Sequence, residues 1–323
     1  FTWKKHKTSL GADFRMEHIY SNVLGTTMNS PIAVEGIDSA FYTKSAQRNG
    51  FSIMAEHRYA TKKFSVSGGA LLYISNQLEH DLSLYPGIDL GFQISKPLRI
   101  FATANRSLRL PNFTNLYYSS PTNIGNPLLL PEEATSIEAG FKWDKNNILA
   151  EVAGFQRFGI NMIDWVRADT ATVWECKNLT EVNVFGIDFS TEYRFQTSFL
   201  KKMALSYSFL TMDKSAGSYD SKYALDYLKN KLILSADHNL YKSLYASWKL
   251  SYIDRAGDYT DFKTGEKIKY APYFMADVRL QWSKASYDLY LDLNNVADVQ
   301  YADFGGLTQP GRNFMAGVRL RLE

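Results

Sequence analysis

The chain has one cysteine in 323 residues, so no disulfide can form within it and a zinc site built on paired cysteines is excluded. Charge of one sign is also scarce: 36 Lys+Arg face 33 Asp+Glu, and the net +3 is far from the concentrated basic surface of a nucleic-acid binder. No run approaches the ~18 consecutive apolar residues of a transmembrane helix. Phe1-Thr2-Trp3-Lys4-Lys5-His6-Lys7 lacks the form of a signal peptide, and the start reads as mid-chain. Helical periodicity is nearly missing. Catalytic signatures are missing too: there is no HExxH, GxSxG, GxxxxGK[ST] or helix-opening GxGxxG. The five histidines are scattered, as solvated or interfacial side chains are more often than metal ligands. The expectation is a protein with no catalytic residues, no required cofactor, no metal site and no nucleic-acid partner.

What is abundant is aromatic side chain, with 21 Tyr, 20 Phe and 6 Trp, in a chain whose mean hydropathy is only -0.27. The dominant pattern has period 2. Leu10, Ala12, Phe14 and Met16 alternate with Gly11, Asp13, Arg15 and Glu17, and the same alternation recurs at 185–194, 287–294 and 314–322. The pattern predicts fourteen strands near 8–21, 41–59, 64–74, 84–94, 98–107, 133–143, 148–158, 183–195, 203–211, 228–237, 244–253, 272–282, 287–294 and 313–322. Connections alternate between short and mostly long, a sorting that a sandwich has no reason to show and an outer-membrane barrel does. About ten residues rising ~3.3 Å each at a tilt near 40° span ~25 Å, the height of the apolar band of such a barrel. Rings gather near strand ends (Tyr20, Tyr59, Trp143, Trp165, Tyr193, Tyr241, Trp282, Tyr287), as interfacial girdles do. The expected fold is all-β, an antiparallel up-and-down transmembrane β-barrel. The parity of the connections places both chain ends on the periplasmic side and the long loops outside the cell. Charges of both signs on the polar faces, among them Glu56, Arg58, Glu151, Arg157, Asp188 and Arg279, describe a lumen. It is either a water-filled pore with self-compensating ladders or a wall that grips a separate polar body.

Four segments carry a resemblance. Ile124-Gly125-Asn126-Pro127-Leu128-Leu129-Leu130-Pro131-Glu132-Glu133 closely resembles the GNPxLxPE segment of TonB-dependent outer-membrane receptors, and Arg109-Leu110-Pro111 through Leu116-Tyr117-Tyr118 is similar to that family's RxPxxxxLYY run. Asn295-Val296-Ala297-Asp298-Val299-Gln300-Tyr301 looks like its NLxDxxY, with Val296 where Leu is usual. Pro310-Gly311-Arg312 through Gly317-Val318-Arg319 is similar to its PGRxxxxGxR closing strand. The order and spacing of the four match the family over the whole chain.

The resemblance implies that residues 1–323 are the C-terminal part of a 22-stranded plugged barrel, with the plug domain, TonB box and first strands outside this chain. It implies a Gram-negative outer-membrane location, lipid and lipopolysaccharide around the barrel, the inner-membrane TonB complex acting through the plug, and a surface lipoprotein as a further partner. Phe155-Gln156-Arg157, Met162-Ile163-Asp164-Trp165-Val166, Trp174-Glu175-Cys176-Lys177-Asn178 and Val182 through Asp188 look most like the vitamin B12 (cobalamin) receptors, with ferric siderophore or haem receptors as the rival. The ligand expected is cobalamin or an iron chelate. Loop residues that could stack on it or hydrogen-bond it are Tyr117, Tyr118, Asn123, Trp165, Arg167, Trp174, Tyr259, Tyr301 and Phe304. Most of these are expected to pack the loops together. Cys176 reads as a passive loop residue. Such barrels normally end on an aromatic residue, whereas this sequence ends Leu320-Arg321-Leu322-Glu323. Two readings of other classes are a passive 14-stranded porin and a surface anchor for a partner protein.

Overall fold

The computed structural model describes residues 1–76, 82–168, 171–196, 199–215, 219–221, 227–261 and 264–321. Leu322 and Glu323 lie outside them. Fourteen long strands follow in chain order: β1 (His6–Ser21), β2 (Phe41–Ala60), β3 (Phe64–Ser75), β4 (Ser83–Gln93), β5 (Leu98–Arg109), β6 (Glu132–Lys145), β7 (Ile148–Ala168), β8 (Trp174–Arg194), β9 (Leu200–Ser215), β10 (Tyr227–Tyr241), β11 (Leu244–Ala256), β12 (Tyr273–Ser283), β13 (Tyr287–Asn294) and β14 (Asn313–Leu320). Each pairs antiparallel with the next in an uninterrupted meander. Among the described residues no ladder joins β14 to β1, so the sheet has two open edges.

The alternation read from sequence sets the register. Residues directly opposite one another in an antiparallel pair share a face, so a slip of one residue would move every apolar side chain to the wrong side. One rung makes this concrete. Phe64, Phe92, Ile100, Phe141, Val152, Phe189, Tyr207, Leu232, Tyr252 and Phe274 stand opposite one another in turn across β3 to β12, without a polar side chain apart from the phenolic hydroxyls. The neighbouring rung on the other face runs Arg99, Lys142, Glu151, Ser190 and Ser206. The apolar face is exposed, with Leu10, Phe14, Phe314 and Leu320 each more than 65% accessible, whereas a water-soluble sheet would bury it. Hydrocarbon is the medium in which such a face is stable.

The charged face is internally paired. Arg279 grips Asp292 at 2.5 and 2.7 Å, Arg321 grips Asp288 at 2.6 Å, Lys142 meets Glu151 at 2.9 Å and Arg194 meets Glu192 at 2.6 Å. Rings on this face lie across glycines of the facing strand: Phe101 over Gly140, Phe155 over Gly186 and Tyr290 over Gly317. A ring can cover the bare backbone of its neighbour there, which a Cβ would prevent.

The expected loop over 159–182 is overturned. β7 and β8 continue to Ala168 and from Trp174, paired in one unbroken register from Ile148↔Tyr193 out to Val166↔Glu175, although Asn161 on the way has a φ of +55°. Trp165, Arg167, Trp174 and Cys176 are therefore strand residues, and Trp165 is no girdle residue. A 21-residue strand tilted by ~40° reaches about 50 Å, roughly twice the apolar band, so its outer half stands clear of the bilayer. Pairing persists because the hairpin is packed on its flank, as described below. The expected loop 22–40 likewise holds a strand, Thr26–Ala33, laid against β2. Two of the scattered histidines meet: His6 Nδ1 lies 3.1 Å from His57 Nε2.

A Cβ at Gly140 would collide with the Val152 carbonyl oxygen and the Phe101 ring, whereas one at Gly154 would meet nothing closer than 3.9 Å. Gly140→Ala is therefore expected to cost about 1–3 kcal/mol and to lower the temperature at which the folded band converts to the unfolded one on unheated-versus-heated gels. Gly154→Ala is expected to leave it within a degree or two of the parent, about the effect of a neutral surface change.

Candidate functional site

At the end of the sheet where the long connections lie, the segment between β5 and β6 forms a compact brace. It begins at Pro111, which is buried and whose carbonyl oxygen accepts from Arg48 Nη1 at 2.6 Å. Arg48 also binds Glu17, which ties β2 to β1 beneath the brace. A short helix α1 (Phe113–Tyr117) follows. Asn112 caps it, accepting from Asn115 N at 2.7 Å while Asn115 Oδ1 accepts from Asn112 N at 3.3 Å.

The Gly125-Asn126-Pro127 stretch then folds back on α1. Gly125 N donates to Tyr118 O and Asn126 N to Asn115 O. Asn126 Oδ1 accepts from Leu128 N, turning the chain at Pro127. Gly125 is required for this approach, because a Cβ there would lie 2.8 Å from Asn115 O and 3.0 Å from Leu116 C and Tyr117 N, all of them backbone. Leu129 is thereby set into a small core with Leu116 and Cys176, and Phe113, Tyr117, Ile163 and Trp165 pack around it.

The brace is tied to β6 and the β7–β8 hairpin by polar contacts. Arg109 holds the buried Glu132 carboxylate with Nε and Nη2, and Glu132 Oε1 also accepts from Ile163 N at 2.7 Å. Asn178 of β8 donates to Leu130 O and Asn161 O and accepts from Leu130 N. Pro131 is buried between these ties. Farther out, Asp164 and Lys214 of β9 form an ion pair at 3.7 Å, both almost fully buried.

A second motif acts as a staple after β13. Asn295 (φ +49°) is buried, its side chain bridging Val299 N and O, and its N donates to Asp277 Oδ1. Asp298 Oδ1 accepts from Arg312 N at 2.7 Å, and Gly311 fits beside that carboxylate where a Cβ would crowd it. Pro310 and Gly311 thus bring the chain back to β14.

Six of the nine ligand candidates come together at the brace. Tyr117 stacks on Phe113, Tyr118 meets Trp165 edge-on at 6.3 Å, and Arg167 stands 4.5 Å over Trp174. Asn123 pairs in parallel with Trp174, and its Oδ1 is buried without a hydrogen-bond partner among the described residues. All six are half-buried, so much of their surface serves packing. Tyr259 and Tyr301 belong to a second cluster. Tyr259 lies 5.1 Å from Tyr270 and against Gly306, Tyr301 stacks on Tyr273 at 4.4 Å, and Arg255 Nη2 reaches Asp303 Oδ1 at 2.5 Å. Phe304 opens the adjoining 3-10 turn, and its side chain lies outside the described residues.

Sequence reasoning missed Arg48 and Lys214. Asp164 inside the apolar run Ile163–Val166 was a signal that a buried cation had to face it. The described residues contain no cluster of three metal-ligating side chains.

The fold is an antiparallel meander of the kind that builds a transmembrane β-barrel wall, and the comparison with known families agrees. Residues 1–296 match the family described as "TonB dependent receptor-like, beta-barrel", and the chain belongs to it. Over 114 residues, 35% of this chain and 18% of the relative, it is 25% identical to the vitamin B12 transporter BtuB of Vibrio vulnificus (strain YJ016). A mutant of the ferric enterobactin receptor PfeA of Pseudomonas aeruginosa superposes with a TM-score of 0.71 at 13% identity, over 97% of this chain and 50% of that one. The copper transporter OprC gives a TM-score of 0.73 at 12% identity, over 98% and 55%. The chain thus spans about half the length of these solved relatives.

Burial pushes the Cys176 thiol up to about 11, with Asn115 Nδ2 near its sulfur at 3.5 Å. Cys176 is expected to resist maleimide in the folded protein. Arg109→Ala strands the Glu132 carboxylate, at a cost of about 2 kcal/mol; the half-exposed guanidinium keeps it below a fully buried pair. The variant is expected to label at least ~10-fold faster, following the opening of the brace. A labelling rate equal to the parent's would show that the brace does not depend on that pair.

Proposed function

We propose that this chain is the C-terminal, fourteen-stranded portion of a 22-stranded plugged barrel that imports a scarce, large ligand across a Gram-negative outer membrane, and that the ligand is cobalamin. The observation that carries the proposal is a sheet apolar outside, charged inside and open at both edges. Unpaired backbone in hydrocarbon costs several kcal/mol per group, so β1 and β14 call for further strands between them, and relatives about twice as long supply room for those strands. A 14-stranded porin would need β1 on β14.

In this reading the long connections face outward and both chain ends face the periplasm. Residues 1–323 are one barrel portion, and the plug, TonB box and first strands lie elsewhere in the parent protein. The braced aromatic cluster and the Tyr259–Tyr301 cluster offer rings to a macrocycle and amide or guanidinium donors to its periphery. The membrane carries no ATP and no ion gradient, so release is driven from the inner membrane by TonB through the plug. Among the described residues the lumen pairs leave Arg157 without an ion pair, and Arg15, 4.0 Å from Glu17, largely exposed, so both can engage such a plug. The match to a vitamin B12 transporter favours cobalamin. Ferric siderophore or haem is the second reading, favoured by the ferric enterobactin receptor among the structural relatives.

Cyanocobalamin binding to the full-length parent protein in detergent, with haem and a ferric siderophore as competitors, tests this. The expected result is a Kd below ~1 μM for cobalamin alone, and a Trp174→Ala variant weaker by at least ~10-fold. Retained binding of haem or siderophore without cobalamin would replace the ligand. Binding of none, together with ion conductance that needs no TonB, would replace the importer by a passive channel; a stable complex with a protein partner would favour the anchor.

A further inference from the structure

The two ends of the sheet differ in charge in a way that import does not require. The short connections and the leading segment (residues 1–5, 61–63, 94–97, 146–147, 195–199, 242–243 and 284–286) contain seven lysines and neither aspartate nor glutamate. The long connections are rich in carboxylates, including Glu35, Asp38, Asp258, Asp261, Glu266 and Asp303. The near-zero net charge of the chain therefore hides a polarised molecule.

The short-turn lysines also stand in a defined place. Lys4 Nζ lies 5.1 Å from the Trp3 ring centroid, Lys242 5.0 Å from Tyr241, and Lys284 5.5 Å from Trp282. Those three rings are exposed, and Trp282 shares the apolar outer face with Leu289. Lys62, Lys63 and Lys96 are exposed in their turns. The carboxylates closest to this rim turn the other way. Glu192 and Asp237 take Arg194 and Lys202, Asp288 takes Arg321, and Asp144 shares the inner face with Leu149. The outer rim is left cationic, with rings at the depth of the glycerol backbone and ammonium groups at the depth of headgroups.

We infer that the short-turn rim is a docking surface for anionic glycerophospholipids in the leaflet it faces, each seat formed by an exposed ring under an acyl-glycerol backbone and a turn lysine on the phosphate. Juxtamembrane lysines draw anionic headgroups by proximity, and several around one rim act together. A ring held against the lysine stem fixes the ammonium near the interface. This rests on the reading of the strands as bilayer-spanning.

The full-length parent protein, placed in nanodiscs of phosphatidylcholine with an equal share of phosphatidylglycerol and then released for native mass spectrometry, tests the inference. Phosphatidylglycerol is expected to be retained over phosphatidylcholine by at least ~5-fold. A Lys62→Gln/Lys63→Gln/Lys242→Gln/Lys284→Gln variant, which touches no residue of the brace, is expected to bring the ratio near one while keeping ligand binding and heat-modifiable migration. Glycerol phosphate in solution is expected not to displace the lipid. Equal retention by the parent protein, an undiminished ratio in the variant, or displacement by glycerol phosphate would each overturn the inference. Protein that never enters the discs would instead remove the bilayer reading, and the inference with it.

Discussion

Backbone hydrogen bonding without water is the constraint on which this architecture depends. In hydrocarbon each N–H and C=O must find a partner in the protein, so strands can cross only side by side, and each strand takes its register from the next. The consequence is visible in the rung from Phe64 to Phe274, where ten strands keep apolar side chains on one face through successive hairpins. Once that face is committed to lipid, the other must accept the charges. Their mutual pairing, as in Arg279 with Asp292 and Arg321 with Asp288, follows from sharing one polar face with the opposite sign at hand.

Beyond the bilayer the same constraint relaxes, and something else must hold the chain. The β7–β8 hairpin runs about twice the length that lipid requires, and the brace between β5 and β6 supports it. Glu132 and Asn178 do this through backbone groups of other segments, Ile163 N and Leu130 O, so side chains replace the ladder that a further strand would supply. The motif residues Arg109, Gly125, Asn126, Pro131 and Glu132 are thus fitted to one another before any ligand is considered. Asn295, Asp298 and Gly311 serve the last hairpin in the same manner. Short sequence motifs in a barrel of this kind mark where the chain leaves the regular sheet and must be tied back.

Much of the fold was legible because period 2 is imposed by lipid on one side and polarity on the other. All fourteen strands fall where the alternation predicts them, from β1 at Leu10–Met16 to β14 at Phe314–Leu320. The alternation stops being informative where lipid stops. Beyond Gly159 both faces of the β7–β8 hairpin meet protein or water, so the apolar-polar alternation fades although the pairing register continues, and the strand was read as a loop. The site was legible in its residue types but not in its contacts. Trp165, Trp174 and Tyr118 are grouped as expected, yet what groups them includes Arg48–Glu17 and Asp164–Lys214, pairs separated by 31 and 50 positions with no local signal of partnership.

The division of labour explains why relatives with such different cargoes share this scaffold. Vitamin B12, ferric enterobactin and copper differ in size, charge and donor chemistry, and the proteins named for them are similar to this chain in sequence or in fold. Strand pairing, motif ties and lumen pairs answer to the membrane and the backbone, which are the same for every cargo. The faces those ties leave exposed are under no such demand. In the brace the outer surfaces of half-buried rings are left open, whereas Asn123 Oδ1 is a buried acceptor whose desolvation is uncompensated within the described protein. Such an acceptor costs stability in the protein alone, and any donor that reached it would recover the lost hydrogen bond.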